Sequence, residues 1–197
     1  MNPNANVLSL KLNGLCCIIA PVLFGVSTFF WRDNEYGVTA ATLIALSMIF
    51  YIPALSAVFG LVKNKMPYYY VLGRLLAIYG CCLGGIGFAL LGYFAAIFHI
   101  SHQTYLQTLA QYPLSSGLLI FWAGPVFPLS LLALGVNLVR KKAVPAWAGI
   151  LICLGGVLFP FGRILRLELL GHVTDLLIAV PFVVTGLSFI NRAETYN

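Results

Sequence analysis

Glu168, His172 and Asp175 stand at i, i+4 and i+7, a spacing that brings three titratable side chains onto one face of a helix. Arg163 and Arg166 precede them closely in the chain. Residues of these types can hold an anion and move a proton. A guanidinium makes paired hydrogen bonds to carboxylate or phosphate, and an imidazole that titrates near neutral pH relays a proton to a carboxylate. At roughly 1.5 Å per residue, Asp175 lies about 10 Å along a helix from Glu168. If Glu168 marks a membrane rim, Asp175 sits inside the leaflet. An ionisable group there is expected to face the bundle interior or a wet cavity, with Arg163 or Arg166 as its partner. The structural alternative is a salt-bridge cluster that closes a short joint.

His99 and His102 stand at i, i+3. With His172 they would supply nitrogen ligands for zinc, copper or haem iron. The alternative is a pair of solvated histidines followed by the polar Ser101, Gln103 and Thr104. His172 with Glu168 or Asp175 is also the acid/base set that a membrane enzyme would use.

The elements that must position these residues are six apolar stretches. Hydrophobic residues make up 61% of the 197-residue chain and charged residues 8%, which excludes an ordinary water-soluble globule. The stretches are Gly14–Trp31, Gly37–Val62, Tyr68–Phe98, Leu114–Val139, Ala143–Gly162 and Leu169–Ile190. Each approaches the roughly 20 residues that a helix needs to cross a bilayer. They are continuously apolar, not alternating as in a membrane barrel, so the expected fold is an all-α bundle of six transmembrane helices in one domain, residues 1–197. The first stretch lacks a cleavage pattern and reads as an uncleaved span.

Alternating spans put Lys11, Lys63, Lys65, Arg74, Arg140, Lys141, Lys142 and Arg192 on one side, and Arg32, Arg163 and Arg166 on the other. The positive-inside rule then predicts both termini in the cytoplasm of a multi-pass cell-membrane protein. The net charge of +6 follows from that orientation, and no nucleic-acid partner is needed to explain it. All three histidines and the acids Asp33, Glu35, Glu168 and Asp175 fall on the outer side.

Cys82–Phe88 echoes Cys153–Phe159, and Ile49-Phe50-Tyr51 echoes Ile120-Phe121-Trp122, both at an offset of 71. A duplicated hairpin, spans two–three and four–five, would produce this. Gly80, Gly84, Gly85 and Gly87, with Gly149, Gly155 and Gly156, are small-residue faces through which spans three and five are expected to pack closely. The Gly124-Pro125-Val126-Phe127-Pro128 run is the expected site of a broken helix. Between Ser101 and Pro113, Tyr105, Leu106, Leu109 and Tyr112 share one face. This predicts an interfacial amphipathic helix that lies on the headgroups or caps an outer cavity.

No G-x-S-x-G, H-E-x-x-H, Walker or dinucleotide motif occurs. The leading expectation is binding or translocation of a small anionic solute or lipid headgroup in an outward-facing polar pocket. Arg163 and Arg166 would hold the anion, and Glu168, His172 and Asp175 the proton. A membrane enzyme or metal/haem protein, and an accessory subunit without its own site, are the alternatives. The bilayer is the expected partner, and assembly as a homo-oligomer is left open.

Overall fold

A computed structural model describes residues 3–32 and 35–195, without the side chains of Pro3, Asn4, Arg32, His102 and Ile164. Asp33 and the His102 side chain, both named above, lie outside it. Six helices among the described residues are long and apolar enough to cross a membrane, and the chain is an all-α bundle. Span one is α1 (Pro3–Thr28) and span two is α2 (Val38–Gly60). Span three joins α3 (Pro67–Tyr79) through a π-helical segment, Gly80–Ile86, to α4 (Gly87–Ile97). After α5 (His102–Ala110), span four runs from α6 (Pro113–Ser116) through a second π segment, Gly117–Phe121, into α7 (Ala123–Arg140). Span five is α8 (Ala146–Phe159) extended by a third π segment, Pro160–Ile164. Span six is α9 (Glu168–Glu194). Trp31–Arg32 and Glu35–Tyr36 pair as a two-residue antiparallel hairpin between spans one and two.

Short joints force consecutive spans to be antiparallel neighbours. Each span packs against the next, and span six returns to span one, so the bundle is a ring in chain order. Its centre is aromatic. The Tyr51 ring stands edge-on to Phe24, Phe127 and Phe182 at 5.5–6.0 Å, and Phe159 stacks on Phe24 at 5.8 Å. Spans one, two, four, five and six thus meet in one cluster whose edge-to-face geometry suits ring quadrupoles.

Small residues set the helix separations. A Cβ on Gly186 would stand 2.6 Å from the Gly14 carbonyl oxygen, and one on Gly14 2.7 Å from that of Gly186, so spans one and six cross backbone to backbone. The expected packing of spans three and five against each other does not occur. Both glycine faces turn to span four: Gly80 and Gly84 meet Phe127 and Ala123, while Gly149 and Gly156 meet Gly135 and Leu132. Span four stands between them, and its own small residues admit a neighbour on each side.

The Gly124–Pro128 run is not a break either. Pro125 follows the junction at Trp122, where the π segment passes into α7, so its missing N–H falls at that already irregular turn, and Pro128 is carried inside the continuous helix. The irregularity comes earlier, at the π segment Gly117–Phe121.

Candidate functional site

Span five does not stop at Gly162. The π segment carries Arg163 into its last turn, and there the guanidinium is buried. Gly162 lies against the backbone of Gly171, where a Cβ would stand 2.9 Å from its Cα and N. That close approach brings span five within reach of Asp175. Arg163 Nη2 lies 2.7 Å from Asp175 Oδ2, with the side chains 2% and 5% exposed. Arg163 Nε also donates to Oδ1 at 3.3 Å. Its Nη1 donates to Ser27 Oγ (3.2 Å), and Nη2 donates to the Phe24 carbonyl (2.8 Å) and Thr28 Oγ1 (2.7 Å). Thr28 in turn donates to Asp175 Oδ2 at 2.6 Å. The Phe24 ring lies 3.8 Å below the guanidinium carbon, and the Trp31 ring 5.1 Å from it. One buried ion pair therefore ties spans one, five and six. Such a pair costs desolvation of both charges, and the hydroxyl and carbonyl partners offset that cost by satisfying the remaining donors and lone pairs.

The other members of the sequence constellation lie elsewhere. Glu168 and His172 form a long i, i+4 contact of 3.9 Å, with Glu168 63% exposed, and the His172 ring rests on Phe29 at 4.4 Å. Asp175 is turned inward by its pair with Arg163. His99 is exposed and takes a left-handed conformation, φ 53°. Among the described residues, no three His, Cys, Asp or Glu side chains converge as a metal site.

Beside the ion pair, toward the interior, is a cavity of about 610 Å³. Its floor is apolar: Ile44, Met48, Phe88, Phe121, Phe127 and Phe159. Gly84, Gly85 and Gly124 leave it the room; a Cβ on Gly85 would press on Met48, and one on Gly124 on Phe88. Its polar residues are Glu35, Tyr36, Tyr105, Arg163 and Arg166. All but Arg163 belong to the joints at one end of the bundle. The Arg166 guanidinium carbon lies 5.0 Å over the Tyr36 ring. Tyr36 packs on Gly92, and its hydroxyl donates to the Arg163 carbonyl at 3.3 Å.

The predicted amphipathic helix is α5. Ser101 Oγ caps it by accepting from Thr104 N at 3.2 Å. Tyr105 and Leu106 line the cavity, so this helix covers part of its mouth. Arg166 hydrogen-bonds the Tyr105 phenol across the mouth. Burial raises the Tyr105 pKa, while the Arg166 charge and hydrogen bond act in the opposite direction. At neutral pH this helix therefore presents a neutral hydroxyl to the cavity.

Each π segment contributes to this cavity: Gly84 and Gly85 from the first, Phe121 from the second and Arg163 from the third. A π turn widens a helix and spoils its hydrogen-bond register, and such turns gather at functional sites. No protein-family model, curated protein or solved structure matches the chain. The site therefore rests on its own geometry.

Proposed function

We propose that this multi-pass membrane protein has both termini in the cytoplasm and binds an anionic amphiphile from the outer leaflet. The carboxylate or phosphate head lies at Arg166 beneath the α5 lid, and the hydrocarbon chain enters the aromatic floor. The observation that carries this reading is the lining of the cavity by charged and phenolic residues of the joints on one side and by Ile44, Met48 and phenylalanines on the other. Its volume falls in the range of ligand pockets, about 300–1,000 Å³. A small solute with no apolar part would leave that floor unfilled. Arg163 shapes the wall, with its charge already answered by Asp175. The eight bases at the opposite end against three at the mouth support the orientation.

The test is equilibrium binding of radiolabelled oleoyl lysophosphatidate to the purified protein, with glycerol phosphate and oleyl alcohol as competitors. Lysophosphatidate should bind saturably. Each competitor, being half of the ligand, should compete only weakly. Arg166→Gln should weaken binding about tenfold, the loss of a charge-assisted contact. Leu106→Trp, which fills the cavity from the lid, should abolish it. Equal binding by wild type and both variants would refute the reading.

A further inference from the structure

The end of the bundle opposite the cavity carries a second arrangement. Arg74 lies seven residues into span three from Pro67, about 10 Å along the axis. Arg74 is partly buried, and Val71, three residues before it on the same face, is 53% exposed, so Arg74 stands at the edge of the lipid-facing surface. Arg74 Nη1 donates to the Tyr70 hydroxyl at 2.9 Å, and its guanidinium carbon stands 4.9 Å from the Tyr70 ring centre. Lys63 Nζ stands 5.6 Å from the same centre. Lys65 Nζ donates to the Lys141 carbonyl at 2.6 Å, which draws the joint between spans four and five, with Lys141 and Lys142, onto the same rim.

Among the described residues, no carboxylate lies within ion-pair distance of Arg74 or Lys63. Glu194, the acid at this end, is on span six, which packs against spans one and five. Two cations thus share one tyrosine ring at the lipid boundary, with no carboxylate of the described residues paired to either. A cation at this depth needs a counter-charge or a route to the headgroups.

We propose that Lys63, Tyr70 and Arg74 bind the phosphate of an anionic phospholipid. The guanidinium supplies a two-pronged donor, the lysine a point charge, and the tyrosine ring holds both in place. A zwitterionic phosphatidylcholine brings the same phosphate with a fixed ammonium that the basic rim repels, so the lipid selected is one with net negative charge. The site is independent of the cavity and its ligand.

The experiment titrates the full chain in detergent with phosphatidylglycerol or phosphatidylcholine and counts bound lipids by native mass spectrometry. Wild type should retain phosphatidylglycerol about tenfold more tightly, as charge-assisted hydrogen bonds to phosphate require. In K63Q/R74Q that preference should vanish at unchanged unfolding temperature, whereas K11Q, a base on span one, should keep it. Arg74→Lys, which keeps the charge, should retain part of it. Equal retention of the two lipids by wild type, or a preference that survives in K63Q/R74Q, overturns the proposal.

Discussion

Asp175 Oδ2 and Arg163 Nη2 lie 2.7 Å apart with both side chains almost wholly buried, and the pair joins the end of span five to the upper part of span six. Thr28, bonded to both, adds span one. This contact forms one wall of the cavity, and its worth is measurable.

Asp175→Ala leaves a buried guanidinium without its counter-charge. A loss of about 3–5 kcal/mol is expected, read as a fall in unfolding temperature in detergent. Arg163→Met with Asp175→Leu removes both charges and should recover most of that loss. A double variant no more stable than Asp175→Ala would show that the hydroxyl partners, not the charge pair, hold the three spans.

Glycine positions give opposed outcomes. A Cβ on Gly156 would lie 2.8 Å from both Leu132 N and Pro128 O, which are backbone atoms. Gly156→Ala should cost about 1–3 kcal/mol by forcing spans four and five apart. Nothing lies within 4 Å of a Cβ on Gly60, which ends α2. Gly60→Ala should stabilise by about 0.4–1 kcal/mol through the unfolded chain. Thermal unfolding of the two variants checks both signs.

The lid should respond to alkali through Tyr105. Burial favours its neutral form when docked, so the docked state holds the phenolic proton more tightly than the undocked state. Docking is then fully stabilised below the undocked tyrosine pKa, about 10, and weakens as pH rises through the higher docked value. Subtilisin cleavage within residues 101–112 should accelerate above about pH 10 in wild type relative to Tyr105→Phe. Equal acceleration in both would place the response elsewhere.

The six spans were legible because a continuous apolar run of this length admits one solution in lipid, and observed bounds such as Val38–Gly60 and Pro67–Ile97 lie close to those read from hydropathy. The helix over the joint was legible in the face shared by Tyr105, Leu106, Leu109 and Tyr112, and Tyr105 and Leu106 of that face line the cavity. The inward turn of Asp175 was legible from its depth. Its division from His172 and Glu168 was not, because the three share one narrow face and differ in depth: Glu168 opens α9, and Asp175 lies about 10 Å further along the axis, inside the bundle. The cavity floor was not foreseen, because Met48, Phe88 and Phe127 look like ordinary membrane residues and π turns leave no periodic signature. The nearest signals were the glycines: Gly84, Gly85 and Gly124 border the space, and Gly162 with Gly171 admits Arg163 to Asp175.

Photolabelling tests the cavity most directly. A lysophosphatidate with a diazirine near the end of its acyl chain is bound to the protein, irradiated, and the labelled residues are read by peptide mass spectrometry. Label is expected on Met48, Phe88 and Phe127 of the cavity floor, and expected to be lost in Leu106→Trp. Label confined to outward-facing residues such as Leu75, Leu129 and Leu176, and unchanged in that variant, would contradict a bound chain inside the bundle.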